Sequence, residues 1–302
     1  MKRSLLVFLG ISNLLLASEF QYGSGTFGME GGFLGLTSRI DTDVTTYSLV
    51  TRHANMFGDF FYSYDLNWYD SKTMTQAQHS YNSYATKADN MLGLGGVNSI
   101  ASVPSMDYKL QGLDANIRLG YDVLHKDNDN FLGIGAIVGI SLPWIDSSKK
   151  SSSSSNYNAS NSIFGAFKDT KTRVQTYKIG ATVNFQKSLI DKKLSLYGIG
   201  SYAMQTGKIK NDYLDSDYNV DGTFQEYNLG LYFTPFTEKF KWGFLTLSPR
   251  IYATIGYKYS KWSVDKMAIN MSGHEINSDI SPFEKEFNMD SSIGYVGVGY
   301  SF

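Results

Sequence analysis

The last eight residues constrain the fold most strongly, because they alternate in polarity with the period of a β-strand. The apolar positions are Val296, Val298, Tyr300 and Phe302, and the small positions between them are Gly297, Gly299 and Ser301. Successive side chains of a strand point to opposite faces. The pattern therefore predicts one face against lipid and one face of small residues towards the lumen. A soluble β-sandwich that ends on a buried edge strand is the alternative.

The same alternation recurs along the chain in segments of about ten residues. Clear segments lie at 60–68, 109–123, 132–140, 177–185, 226–233 and 245–259, and weaker ones at 29–40, 44–53, 194–206 and 286–302. Aromatic residues make up 15% of the chain although its mean hydropathy is only -0.24. A wall with one face in water and one in lipid has this composition. We expect an all-β, transmembrane, antiparallel up-and-down barrel of about ten strands, with eight to twelve possible.

The lengths of the connections predict the orientation of this barrel. Short polar turns at 125–130, 189–193 and 235–240 are expected on the periplasmic side, and long polar stretches at 70–107, 143–170, 207–221 and 263–285 on the extracellular side. The first hairpin is expected to turn at Asp41-Thr-Asp43. Phe287, Met289 and Ile293 have the opposite parity to Val296, which predicts a bulge or an extension above the membrane.

The first eighteen residues have the pattern of an export signal. Lys2 and Arg3 precede an apolar run that ends in small residues at Ala17 and Ser18, and Ser12 and Asn13 leave the run too short for a spanning helix. We expect a signal peptide at 1–18 and a single barrel domain at 19–302. Removal of the signal peptide would lower the formal charge from -1 to about -3. A nucleic-acid partner is therefore not expected. The chain has no cysteine and hence no disulfide.

The chain resembles the small outer-membrane β-barrel proteins of Gram-negative bacteria in its signal pattern, its aromatic alternation and its terminal aromatic strand. The resemblance is to the class and covers most of residues 19–302. It implies location in the cell outer membrane, with outer-membrane lipid and lipopolysaccharide as neighbours. It also implies that the barrel-assembly machinery recognises the C-terminal strand through Val296, Val298, Tyr300 and Phe302.

Charged residues of both signs occupy positions with inward parity. These candidates for the lumen are Arg39, Arg52, Asp65, Asp114, Arg118, Asp122, Lys178, Glu226, Arg250 and Lys258. In a narrow barrel such charges would pair across the interior and plug it. In a slightly wider barrel they would line a water-filled path with weak ion preference. A barrel of about ten strands is intermediate between eight-stranded barrels, whose interior is filled by side chains, and sixteen-stranded barrels, which contain an aqueous channel. Both possibilities therefore stay open.

Three functions follow from this pattern. The first is a structural role or passive, porin-like permeation of small solutes or ions, without catalysis. The second is a surface adhesin or receptor that binds an extracellular ligand through the loops at 70–107 and 143–170. The third is a hydrolase at the outer rim, because ten strands is also the size of the omptin proteases. That family places Asp pairs and a close Asp and His at the rim; this chain offers only Asp41, Asp43, Asp215, Asp217 and His274, and has no Asp-x-His.

Two further motifs carry no predicted chemistry. Gly23-Ser-Gly-Thr-Phe-Gly28 matches G-x-G-x-x-G, but no strand precedes it and no helix follows, so it is expected to lead into the first strand. The four histidines are scattered, and we expect no metal site, catalytic residue or cofactor. Two apolar islands lie in the loops, at 91–97 and 163–167, and the first would either constrict the barrel mouth or pack across the loops.

Overall fold

The computed structural model shows a chain built almost entirely from long antiparallel strands. It describes residues 19–33, 36–55, 58–76, 79–80, 102–103, 106–124, 130–149, 170–190, 193–211, 216–235, 240–242, 245–247, 251–271, 274–276 and 287–300. The predicted signal peptide, the two apolar islands, Arg250 and Phe302 lie outside these residues, as does the side chain of Arg39. Within the described ranges, no helix is long and apolar enough to cross a membrane.

Ten strands form the wall of the barrel. They are β1 (Glu19–Phe33), β2 (Leu36–Asn55), β3 (Phe60–Ser71), β4 (Met106–Asp122), β5 (Asn130–Lys149), β6 (Thr170–Ile190), β7 (Leu194–Asn211), β8 (Ser216–Phe233), β9 (Ile251–Met271) and β10 (Phe287–Tyr300). Each pairs antiparallel with the next, and β10 pairs with β1 from Gly299 opposite Glu19 to Phe287 opposite Gly31. This closure leaves the wall without a free edge. The predicted all-β up-and-down barrel of ten strands is confirmed.

Short ladders lie beside this wall. Met74–Gln76 pairs with the start of β4, and His274–Ile276 pairs with the end of β9. His79–Ser80 pairs with Ser102–Val103, and Phe240–Trp242 pairs with Leu245–Leu247.

A belt of apolar side chains surrounds the outside of the barrel. Its most exposed members include Met204 (72% exposed), Ile179 (65%), Val298 (62%) and Ile255 (58%). Aromatic members are Phe20, Tyr22, Tyr47, Trp68, Tyr177, Tyr202, Tyr227 and Tyr257. A closed wall with this much exposed apolar surface is stable only in contact with lipid, and a closed barrel is one of the two backbone arrangements that can span a membrane. The chain is therefore an integral β-barrel of the outer-membrane type.

Above the belt the polarity of the wall inverts. On β9 the outward residues change from Ile255 and Tyr257 to Lys261, while the inward residues change from Lys258 to Trp262. β6 changes in the same way, with exposed Arg173 outside and buried Val174 inside. Because a membrane strand needs only about 9–11 residues, strands of 18 to 21 residues continue into the extracellular space. This upper part has the polar outside and apolar inside of a water-soluble barrel.

This inversion explains where the predicted first hairpin was wrong. The chain turns between Phe33 and Leu36, which are paired, and Asp41 and Asp43 lie within β2 opposite Gly28 and Thr26. Polar residues there face water above the belt, and they have the composition of a turn without forming one. The segment 23–28, predicted as a leader, lies inside β1.

Several predicted strand ends were also wrong. The stretch 207–221 is not a loop, because β7 and β8 pair up to Asn211 and Ser216, and β9 continues to Met271 across part of 263–285. β9 starts at Ile251, not Leu245, since 245–247 belongs to a separate hairpin. Of the two alternatives predicted for 287–293, the bulge is absent, because β10 keeps one register with both neighbours, and the strand instead extends above the lipid belt. Met289 and Ile293 point inward because the upper interior is apolar.

The predicted turn at 189–193 is confirmed by a hydrogen bond from Lys193 N to Ile190 O of 2.7 Å. The next connection on the same side, from 234 to 250, is longer than predicted and contains the separate hairpin.

Candidate functional site: the barrel interior

The interior contains three layers of side chains, and the lowest surrounds an Arg52–Glu19 ion pair. Arg52 Nε donates to Glu19 Oε2 at 2.9 Å and Arg52 Nη2 donates to Glu19 Oε1 at 2.8 Å. The guanidinium carbon lies 3.5 Å from the ring centre of Tyr197. Glu19 also accepts a hydrogen bond of 2.7 Å from Gln21 Nε2. A bidentate pair with a ring beneath it fixes the guanidinium in one orientation.

Local backbone features make room for this lower layer. The β2–β3 pairing shifts register between Thr51 and Ala54, next to Arg52. On β10, a side chain at Gly297 would overlap Glu19, and one at Gly299 would overlap the ring of Tyr252. The small inward positions of the last strand are thus explained by what lies against them.

The middle layer is a network of ion pairs between strands on different sides of the barrel. Arg118 on β4 bonds both Asp65 on β3 and Glu226 on β8. Lys258 on β9 contacts the same two carboxylates, with Nζ 3.1 Å from Asp65 Oδ2 and 3.0 Å from Glu226 Oε2. Two cations and two anions therefore share one buried site.

A second set of contacts extends this network towards β5 and β6. Lys178 Nζ lies 2.5 Å from Asp114 Oδ1, and Ser141 Oγ donates to the same carboxylate. Asn116 Nδ2 donates to Asp114 Oδ2 at 2.8 Å and to Asp65 Oδ2 at 3.0 Å, which joins the two sets. We call the six charged residues Asp65, Asp114, Arg118, Lys178, Glu226 and Lys258 the ion cluster. Its formal charges cancel.

The upper layer is apolar and closes over the ion cluster. The ring of Trp262 stacks on Phe27 at 5.8 Å and lies 5.5 Å from Phe224, and Phe27 meets Tyr69 edge-on at 5.8 Å. Lys178 Nζ lies 3.9 Å from the centre of the Phe224 ring, and Trp262 Nε1 donates to Ser141 at 2.9 Å. The buried members of this apolar layer are Phe27, Val44, Tyr69, Leu110, Ile137, Val174, Ala203, Ile209, Val220, Phe224, Trp262, Val264, Met289 and Ile293.

The ion cluster has the donor atoms of a cation site but not its charge balance. Carboxylate oxygens of Asp65, Asp114 and Glu226 lie within 4.8 Å of one another. Arg118, Lys178 and Lys258 already contact these oxygens and neutralise them. The arrangement is suited to holding strands together, because each buried charge has an opposite partner.

The structure brings most of the predicted lumen residues into the interior. Buried there are Arg52, Asp65, Asp114, Arg118, Asp122, Lys178, Glu226 and Lys258. Asp122 stands apart from the ion cluster and accepts backbone hydrogen bonds from Leu124 at 3.0 Å and Leu132 at 3.4 Å, so it stabilises a turn.

Glu19 and the apolar layer are not among the predicted interior residues. Glu19 precedes the alternation of outward Phe20 and Tyr22 with inward Gln21, which is a readable strand pattern. The predicted first strand begins ten residues later, at 29.

The rim carboxylates proposed for a hydrolase do not meet inside the barrel. Asp41 and Asp43 are exposed on the outward parity of β2, whereas their neighbours Thr42 and Val44 are buried. The side chains of Asp217 and His274 lie outside those that the structure describes, as does Asp215.

Comparison with known proteins supports the fold. No protein-family model matches the chain, and no curated protein matches it in sequence. Among solved structures, the outer membrane protease OmpT from Escherichia coli matches with a TM-score of 0.50 and 9% identity, covering 95% of this chain and 97% of OmpT. The translocator domain of the autotransporter NalP from Neisseria meningitidis matches with a TM-score of 0.36 and 10% identity, covering 100% of this chain and 97% of that domain. At 9% identity the likeness to OmpT extends to the barrel architecture alone.

Proposed function

We propose that this protein is a closed, non-conducting outer-membrane barrel that presents a binding surface at its extracellular end. The observation that carries the proposal is the neutral ion cluster beneath the apolar layer. Arg118, which is 1% exposed, connects carboxylates on strands from different parts of the wall. A water-filled path would have to break these contacts and leave charges without partners, which is costly away from bulk water.

The extracellular part of the barrel supports a role in binding. Its strands continue beyond the lipid belt with a polar outer surface, and the apolar layer gives this part a core of its own. The upper ends of β3, β4, β5 and β6 lie in this part of the barrel. The connections between β3 and β4 and between β5 and β6 therefore start above the membrane. Functional residues often lie on loops positioned by a rigid scaffold. The structure assigns 70–71, 106–107, 143–149 and 170 of the predicted loops to strands. We propose the remaining parts of 70–107 and 143–170 as the binding elements.

Passive permeation and rim hydrolysis are the competing functions. Permeation is disfavoured by the filled interior, and hydrolysis by the outward positions of Asp41 and Asp43. We therefore propose a non-catalytic role.

Loop exchange tests the binding role. In one variant a two-residue turn replaces residues 150–169, which leaves β5 and β6 intact. In a second variant a two-residue turn replaces residues 81–101, which leaves β4 intact. Bacteria that display each barrel are measured for adherence to cultured epithelial cells and to immobilised matrix proteins. We expect adherence of the parent protein to fall in at least one variant while both barrels still migrate as folded species on unheated gels. No adherence above vector-only cells, or equal adherence of parent and both variants, would overturn the binding role.

Export and assembly form part of the same proposal. We infer that residues 1–18 are removed as a signal peptide and that the assembly machinery reads the C-terminal strand. The charged residues Lys2 and Arg3 and the apolar run that follows them support the first inference, and the lipid-facing positions of Val296 and Val298 support the second. Replacing both valines by serine should reduce the amount of folded barrel in the outer membrane, whereas replacing outward Thr26 by serine should not.

A further inference from the structure

Two tyrosines at the lower end of the barrel lie closer together than any other pair of rings that the structure describes. The ring centres of Tyr232 on β8 and Tyr252 on β9 are 4.4 Å apart, with an angle of 32° between the ring planes. The next shortest separation is 5.1 Å, between Phe61 and Phe131. Aromatic pairs prefer separations of about 4.5–7 Å, so these two phenol rings are in van der Waals contact.

The strand register brings the two rings together. Tyr232 is directly opposite Thr254 in the β8–β9 ladder, so Tyr252, two residues before Thr254, is its diagonal neighbour on the inward face. Diagonal neighbours in an antiparallel pair are within reach of each other when their side chains are aromatic. On its other side the Tyr252 ring packs against Gly299 of β10, where an added Cβ atom would lie only 2.2 Å from Cζ of the ring. These contacts hold the Tyr252 ring beside its partner.

The surroundings of the two tyrosines suit their oxidation. Tyr252 is 5% exposed, and its hydroxyl hydrogen-bonds the carboxylate of Glu19, which can accept the phenolic proton. Tyr232 is only partly buried, so its ring is accessible to a dissolved oxidant. The chain has no cysteine, so a covalent link between its strands has to come from another side chain.

We propose that Tyr232 and Tyr252 form a dityrosine cross-link when the protein meets a one-electron oxidant, such as a peroxidase activated by hydrogen peroxide. The bond would join β8 to β9 at the lower end of the barrel and close residues 232–252 into a covalent loop. A cross-link that closes such a loop restricts the unfolded chain and thereby stabilises the folded barrel. The site is independent of the extracellular binding role proposed above.

The reaction removes two electrons and two protons from the protein. Each tyrosine gives one electron to the oxidant and its phenolic proton to a base, which is Glu19 for Tyr252 and water for Tyr232. The two phenoxyl radicals then form one carbon–carbon bond between ring carbons that lie next to the oxygen-bearing carbons. The hydrogen on each of these carbons moves to the oxygen of the same ring and restores the phenol.

Photo-oxidation of the refolded barrel in detergent tests the cross-link. The oxidant is tris(bipyridine)ruthenium with persulfate, which takes up the two electrons and becomes two sulfate ions. Dityrosine fluorescence measures the total yield, and mass spectrometry with fragmentation of a tryptic digest locates the bond. Tyr232→Phe removes one phenol but keeps the ring. The matched control is Tyr47→Phe, because Tyr22 and Tyr47 form a more exposed pair whose rings meet edge-on at 5.7 Å. Unheated gel migration checks that every variant is folded.

We expect the parent protein to give a peptide in which Tyr232 is bonded to Tyr252, and we expect Tyr232→Phe to lose it. Tyr47→Phe should give the same yield of this peptide as the parent. Oxidation should raise the urea midpoint of the parent more than that of Tyr232→Phe, because only the parent gains the covalent loop.

Three results would overturn the site. The first is no bond between Tyr232 and Tyr252 in the folded parent, and the second is an equal yield of that bond in the urea-unfolded chain. The third is a bond between Tyr197 and Tyr295 in its place, since the hydroxyls of these two residues are in contact. A bond that forms without raising the urea midpoint would overturn the stabilising role of the cross-link.

Discussion

At the scale of single residues, Arg118 is the central contact of the ion cluster. It bonds Asp65 and Glu226, and all three side chains are buried. Replacing Arg118 by Met would leave Lys258 alone between two carboxylates. We expect a loss of about 3–5 kcal/mol in the free energy of unfolding, which urea titration in lipid vesicles would measure. Exposed Arg173→Met should change it by less than about 0.5 kcal/mol.

A second substitution tests whether charge balance causes that loss. Adding Glu226→Gln to Arg118→Met leaves Asp65 paired with Lys258. The double variant should be more stable than Arg118→Met alone, since neighbouring residues in one network do not act additively. If the loss of unfolding free energy in the double variant equals the sum of the losses in the two single variants, packing and not charge balance dominates.

Glycine positions test how tightly the interior is filled. A methyl group at Gly133 on β5 would overlap the rings of Phe61 and Phe131, whereas one at Gly200 on β7 has nothing within 4 Å. Gly133→Ala should therefore destabilise the barrel by about 1–3 kcal/mol. Gly200→Ala should be neutral or slightly stabilising, because it only reduces the freedom of the unfolded chain. Equal effects in urea titration would contradict a packed lower interior.

At the scale of elements, each long strand crosses two environments. On β9, Ile255 faces lipid and Ser263 has the same outward parity eight residues further up. Ile255→Arg should cost about 2–4 kcal/mol near the middle of the bilayer, and Ser263→Arg about 0–1 kcal/mol. Urea titration of both variants in vesicles would measure the difference. Similar costs at both positions would mean that the lipid belt extends higher than we describe.

This change of environment explains which elements could be predicted from sequence. Within the belt the outward residues are apolar, so β6 was recognisable from Tyr177 to Phe185. Above the belt the pattern reverses, so 207–221 and 263–285 have the composition of loops although they include the upper ends of β7, β8 and β9. On β1 the alternation of Phe20 and Tyr22 with Gln21 is short, and the glycines that follow at 23, 25 and 28 give little apolar signal. The turn-like residues Asp41 and Asp43 hide the middle of β2. The inward charges were predictable by parity, but their partners depend on which strands face each other across the interior.

At the scale of the whole molecule, three layers of buried side chains follow one another along the barrel axis, and on them rests the proposed closure. The Arg52–Glu19 pair lies lowest, the neutral ion cluster in the middle, and the rings of Phe27, Phe224 and Trp262 on top. Several of these contacts join residues more than one hundred positions apart in sequence, such as Arg118 to Glu226 and Lys258 to Asp65. The closed interior and the stability of the wall therefore depend on the same side chains.

Single-channel conductance of the refolded 19–302 barrel in planar bilayers tests this closure most directly. We predict no steady current above that of the bare bilayer for the parent protein. A variant with Phe27, Phe224 and Trp262 all changed to Gly and Arg118 changed to Ser should conduct, which would show that inserted barrels are detectable. Steady current through the parent, with an ion preference that shifts in Lys258→Glu, would contradict a closed barrel and establish a small pore.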